Sequence, residues 1–147
     1  MKCGQPNCKC CKEILEVDEL YFPTSEIRFK IQTKMDCTVR NVIYTLICKK
    51  CEHTYIGETV NLRYRMNSHR KNSTKSDYAV MKASRHIYEC GQGFWVCPIY
   101  KMKEENKIAR LVREDYFIKL LKPNLNADSR NLLHLGLASP DIAGKSS

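Results

Sequence analysis

Nine cysteines in 147 residues constrain this chain more than any other feature, because they fall in clusters rather than evenly. Cys3, Cys8, Cys10 and Cys11 come together, Cys37 stands alone, Cys48 and Cys51 form a pair, and Cys90 and Cys97 follow late. The N-terminus, Met1-Lys2-Cys3-Gly4, lacks the apolar core of a secretory signal. A soluble, intracellular protein is expected, in which metal thiolates are favoured over disulfides. Cys48-Lys-Lys-Cys51 is tight enough to aim two thiolates at one ion, and its lysines favour deprotonation. His86 and Cys90 lie one helical turn apart. Cys48, Cys51, His86 and Cys90 are the expected ligands of one tetrahedral zinc. Cys3, Cys8, Cys11 and Cys37 are the expected ligands of a second, with Cys10 in competition. Cys97 reads as a small buried hydrophobe. Free buried thiols are the plain alternative for every one of them.

The texture along the chain predicts an α+β fold, a small three-stranded antiparallel sheet flanked by helices with a zinc-binding N-terminal extension. Residues 1–40 form the extension, with a short extended stretch at 27–31. Residues 41–130 form the main domain and 131–147 a tail, disordered from 139. Asn-Val-Ile-Tyr-Thr-Leu-Ile-Cys at 41–48 is β-branched and apolar, a buried strand. A second strand at 54–57 completes a hairpin. Thr59 is the expected cap of a helix over 61–70, and a second helix covers 77–89 before Cys90-Gly91. A strand over 94–100 meets Pro98, and a helix over 104–121 turns Ile108, Leu111, Val112, Phe117, Ile118 and Leu121 inward before Pro123.

The charge is +9, from 25 Lys and Arg against 16 Asp and Glu, which favours a polyanionic partner. No apolar run reaches the roughly 20 residues of a membrane helix, so no membrane partner is expected. Tyr44 lies in the buried strand and Tyr55 on its hairpin partner. Gly57 shares a face with Tyr55 and leaves room for a close approach by backbone or ligand. Arg65 and His69 are four apart on one helix, beside Leu62 and Met66. A guanidinium placed there needs an anion, and phosphate suits its two-pronged geometry. Singly, Tyr44 and Tyr55 are ordinary core tyrosines, Glu114 a solvated carboxylate, and Arg63 and Arg70 surface charges. Lys71, Lys75, Lys82 and Arg85 would form a solvated face or a patch that follows a phosphate backbone.

As an ordered set, Val42-Ile43-Tyr44, Tyr55-Ile56-Gly57, Leu62…Arg65…His69, Glu114 and Asn126 resemble the signature of the GIY-YIG endonucleases. Val42 stands where the name has its first glycine. The run from Cys3 to Asn126 resembles, more narrowly, the endonuclease domain of Penelope-like retroelements. Cys37 ahead of Asn41–Tyr44, Cys48-x-x-Cys51 ahead of Tyr55–Thr59, Arg65-x-x-x-His69-Arg70 and Pro123-x-Leu125-Asn126 carry that likeness. The resemblance implies a DNA endonuclease that nicks, in a nuclear setting, with a reverse transcriptase as companion in a parent polyprotein. It implies hydrolysis at phosphorus with one Mg²⁺ or Mn²⁺ on Glu114, and Arg65 on the scissile phosphate. Tyr44 would be the general base, provided Arg65, the metal or His69 depresses its pKa. Tyr55 would position phosphate or share the base role, His69 relay the proton, and Asn126 pin the active-site backbone. Glu58 departs from the pattern, since an acid there would repel phosphate or add a metal ligand. Gln92 stands where relatives place a zinc histidine, and Cys90 is the nearest replacement. A zinc-stabilised nucleic-acid-binding module without turnover is the first alternative, and a zinc-bearing protein-interaction domain the second. Oligomeric state and target sequence are not legible.

Overall fold

The computed structural model describes residues 3–5, 7–32, 34–72 and 82–126 of the chain. The expected residues 77–81 of the second helix, Lys75 and the 131–147 tail lie outside these, and of Lys82 only the backbone is described. In order along the chain are α1 (Lys9–Glu13), β1 (Glu19–Phe22), β2 (Ile27–Lys30), β3 (Arg40–Cys48) and β4 (Thr54–Asn61). There follow α2 (Leu62–Asn72), α3 (Lys82–Cys90), β5 (Phe94–Lys101) and α4 (Lys107–Leu121). No helix among the described residues is long and apolar enough to cross a membrane.

The main sheet has the order β4-β3-β5, antiparallel throughout. β3 is buried from Asn41 to Cys48, so its β-branched run serves two faces at once. One face carries Val42, Tyr44 and Leu46 against Leu62 and Met66 of α2, Ile87 of α3, and Cys10, Cys11 and Ile14 of the N-terminal extension. The other carries Ile43 and Ile47, with Ile56, Cys97 and Ile99, against Phe117 and Leu121 of α4. The mixed α+β architecture with a small antiparallel sheet is as expected. Pro98 sits on the edge strand β5, where the register with β3 shifts between Ile43 and Tyr44, a place that tolerates a missing N–H.

The extension is more ordered than its sequence suggests. β1 and β2 pair as a hairpin, and Leu20 and Phe22 fill the α4 side of the core. The stretch expected at 27–31 is therefore one arm of a second, two-stranded sheet.

Three local expectations are corrected. Thr59 lies inside β4 rather than capping a helix, and Asn61 Oδ1 accepts from the Tyr64 N–H at 3.1 Å instead. α4 starts at Lys107 rather than 104, because Asn106 caps it by accepting from the Ala109 N–H at 2.9 Å. Its inward face also differs: Ile108 and Val112 are 53% and 62% exposed, while Arg110 is buried.

Glu58 explains that rotation. Its side chain is buried and accepts from Arg110 Nε at 2.9 Å and Lys107 Nζ at 3.1 Å. Arg110 Nη1 also donates to Asn41 Oδ1 at 3.0 Å, and the Asn41 amide donates to the Glu104 carbonyl. The acid that would have repelled phosphate is instead the anchor of α4 on β4. Removing one member of a buried ion pair strands the other. Arg110→Met should lower unfolding free energy by roughly 3 kcal/mol, and adding Glu58→Gln should restore part of it. Urea denaturation of both variants checks this.

Candidate active site

Tyr44 is buried, and its hydroxyl lies 2.9 Å from His69 Nε2. His69 is fully buried, and its Nδ1 lies 3.1 Å from Ser84 Oγ on α3. Tyr55, half-buried, stands beside both, with ring centroids 6.4 Å from Tyr44 and 5.8 Å from His69. Gly57 is required by this arrangement, since a Cβ there would lie 2.5 Å from the Tyr44 hydroxyl oxygen. The room beneath Gly57 is thus filled by the Tyr44 ring rather than left for a ligand.

Arg65 is half-buried, one turn before His69. Its charge acts on Tyr44, Tyr55, His69 and Glu114 alike, so the two strands, α2 and α4 converge on one guanidinium. Among the described residues Arg65 has no hydrogen-bond or ion-pair partner of its own. Glu114 does not point into open water. Burial first and Glu58 second raise its carboxyl to about 8, against the pull of Arg65 and Lys107 and a hydrogen bond from the Glu58 backbone. Burial raises both phenols well above their ordinary range, with Arg65 pulling the other way. The depression of the Tyr44 pKa that a base role calls for is therefore absent from the protein alone.

Asn126 clamps the outer edge of β4. Its Oδ1 accepts from the Ile56 N–H and its Nδ2 donates to the Ile56 carbonyl, both at 2.7 Å. Asn124 Oδ1 accepts from the Thr54 N–H at 3.2 Å, and the Leu125 N–H donates to the Thr54 carbonyl at 2.8 Å. An edge that would otherwise be open for pairing is closed, and Tyr55 is held between the two clamped residues.

The two expected cysteine sets assemble as separate clusters. The ligand atoms of Cys3, Cys8, Cys11 and Cys37 lie within 4.8 Å of one another, as do those of Cys48, Cys51, His86 and Cys90. None of the nine cysteines is in a disulfide. Four thiolates about 2.3 Å from a tetrahedral ion would stand about 3.8 Å apart. Cys37 Sγ is 3.5 Å from both Cys8 Sγ and Cys11 Sγ. His86 Nε2 is 3.1 Å from Cys51 Sγ and 3.3 Å from Cys90 Sγ, and the His53 ring stacks on it at 5.5 Å. Both sets fit a zinc ion. Cys10 belongs to neither, and burial pushes its thiol up to about 12; Cys97, also buried, is at about 11.

Arg63 and Arg70 are not surface charges. Arg63 Nη2 donates to Cys37 Sγ at 3.1 Å, and Arg70 forks onto Glu13 at 2.9 and 2.6 Å. They bind α2 to the extension. Arg85 pairs with Glu89 on its own helix at 3.4 Å. Ser84 escaped the sequence reading, as a lone helical serine carries no signal of a buried partner.

Burial, and then Arg65, drive the His69 pKa down to about 3, below its unfolded value near 6.5. Below pH 6.5 the unfolded chain takes up a proton that the folded one refuses, so stability falls as pH falls towards 3. The loss reaches about 2 kcal/mol by pH 5. His69→Gln should lack this component, visible as a smaller drop in urea midpoint between pH 7 and pH 5 than in the wild type.

A profile of the GIY-YIG catalytic domain matches residues 40–126. Among solved structures, the catalytic domain of the homing endonuclease I-TevI is similar at 22% identity and a TM-score of 0.44, over 55% of this chain and 87% of that one. No curated protein matches the chain. The profile spans more than half of the sequence and contains every strand of the main sheet together with Tyr44, Tyr55, Arg65, His69, Glu114 and Asn126, and the chain therefore belongs to the GIY-YIG catalytic domain family.

Proposed function

We propose that this chain is a metal-dependent DNA endonuclease that nicks by hydrolysing a phosphodiester, descended from a mobile element of the Penelope-like kind and acting in the nucleus. The observation that carries the reading is Arg65. A half-buried guanidinium without a partner among the described residues, beside two phenols, an imidazole and a half-buried carboxylate, is a site awaiting an anion. The net charge of +9 suits a polyanion.

Arg65 takes two non-bridging oxygens of the scissile phosphate and offsets charge that grows on them in the transition state. Glu114 would hold Mg²⁺ or Mn²⁺; its pKa of about 8 marks a carboxylate that lacks a sufficient cation in the protein alone. When bound, the ion supplies positive charge against the leaving oxygen. That charge, added to Arg65, opposes the burial that keeps Tyr44 protonated. As the new O–P bond forms, the attacking water gives a proton to the Tyr44 oxygen while the phenolic proton passes to His69 Nε2. The negative charge of the reacting phosphate favours that transfer against the burial and Arg65 that keep the imidazole neutral in the free protein. Tyr55 orients the phosphate, and Asn126 fixes the strand that carries it.

The test is incubation of supercoiled plasmid with the purified chain and Mg²⁺ or Mn²⁺. Open circles should accumulate. Glu114→Ala should cut by at least roughly a hundredfold less while binding plasmid equally. A wild-type chain that binds plasmid but never cuts it with either ion is a nucleic-acid-binding module instead. A chain whose weak binding ignores salt is a protein-interaction domain.

Both cysteine clusters are proposed as structural zinc sites, closed by protein ligands. Metal analysis of protein purified without chelator should give two zinc ions per chain. Their removal should lower the melting temperature, because binding contributes folding free energy. Protein that carries no zinc and melts unchanged with chelator would overturn the assignment.

A further inference from the structure

Ser84 is fully buried on α3, between Ala83, also buried, and a helix turn that ends in His86 and Cys90. Its hydroxyl faces the one ring nitrogen of His69 that Tyr44 does not use. Donor counting fixes the direction of this chain. The Tyr44 phenol is buried, and His69 Nε2, at 2.9 Å, is its hydrogen-bond partner among the described residues. A buried O–H left without an acceptor is costly, so the phenol donates and Nε2 must present a lone pair. A neutral imidazole with a bare Nε2 carries its proton on Nδ1. That Nδ1–H is buried too, and the oxygen within reach is Ser84 Oγ at 3.1 Å. The reverse order would leave the phenol proton without a partner.

We infer that Ser84 is a positioning residue that holds His69 in the Nδ1-protonated form, with Nε2 turned to accept from Tyr44. The inference deepens the nuclease reading and rests on it for its catalytic consequence, though not for its geometry. Ser84 touches neither phosphate nor metal. It acts by selecting the tautomer and by keeping the ring from rotating in the space lined by Phe94, whose ring centroid lies 6.4 Å away. When the phenolic O–H bond breaks and an N–H bond forms at Nε2, the resulting imidazolium still donates from Nδ1 to the serine oxygen, so the ring need not move.

The test uses the full chain with ¹⁵N-labelled histidine, in wild-type, Ser84→Ala and Ser84→Thr forms. Long-range proton–nitrogen correlation at pH 7 should report His69 in the wild type as the neutral Nδ1–H tautomer. Ser84→Ala should shift or broaden both His69 nitrogen signals, and Ser84→Thr, which keeps the hydroxyl, should restore them. In plasmid nicking, kcat should fall roughly tenfold or more in Ser84→Ala with KM unchanged, and recover in Ser84→Thr. A wild-type His69 protonated on Nε2 overturns the inference, even where Ser84→Ala proves unable to fold. Wild-type nitrogen signals and wild-type kcat in a folded Ser84→Ala overturn it equally. A wild type that never nicks plasmid removes the nuclease reading while the tautomer still decides the role of Ser84.

Discussion

Tyr44 reaches His69 only because Gly57 has no side chain. The two residues face each other across the β3–β4 ladder, and the phenol crosses the space where a Cβ would stand at 2.5 Å. Register does the rest. With Tyr44 opposite Gly57, Tyr55 falls on the same face two residues away, and Ile56 and Glu58 fall on the other. One pairing therefore sends two tyrosines towards α2 and one acid towards α4. A slip by a single residue would exchange them, burying Glu58 against Met66 and turning Tyr55 towards Phe117.

Much of this was legible because it is local. The run from Asn41 to Cys48 carries its own strand signal, the four-residue step from Arg65 to His69 its own helical face, and Cys48-x-x-Cys51 its own ligand geometry. Pairing the cysteine sets was also within reach, since each combines one tight motif, Cys8-x-x-Cys11 or Cys48-x-x-Cys51, with two further residues of ligating type. What failed depends on contacts between residues far apart. Arg110 is inward because Glu58, 52 residues earlier, is buried opposite it, and that turns Ile108 and Val112 to solvent. The apolar count of α4 pointed elsewhere, and no pattern within the helix could correct it. Likewise β1 is short, its four residues alternate exposed and buried, and its strand character comes from pairing with β2.

The helices around the phenols are held by polar tethers as well as by apolar packing. Lys, Arg, Asn and His fill much of α2, and Leu62, Met66 and His69 are the buried ones among its described side chains. Arg70 forks onto Glu13 of α1, and Arg63 reaches the Cys37 thiol, so the helix that carries Arg65 is pinned from the N-terminal extension at both ends. α3 is pinned from the opposite side through His86 and Cys90 to the hairpin turn at Cys48 and Cys51. The cysteine clusters thus connect to the groups around Tyr44, one through Arg63, two residues before Arg65, and the other through His86, two residues after Ser84. Under the zinc assignment proposed above, ion binding would add folding free energy to a domain of this size.

Charge explains why an acid beside the site is tolerated. Glu58 is matched by Arg110 and Lys107, and it contributes to the centre mainly by raising Glu114. That leaves Arg65 and Glu114, whose charges cancel when the carboxylate is ionised. Under the proposed hydrolysis a phosphodiester brings one negative charge and a divalent ion two positive ones, so the ground state carries an excess of one positive charge. The pentacoordinate arrangement adds one negative charge at phosphorus while the proton passed to His69 adds one positive charge, so the excess is kept. A site with Glu58 unpaired would lose that excess and with it part of the attraction for the charge growing at phosphorus, which is the electrostatic reason for burying Glu58 on α4 rather than leaving it at the phosphate.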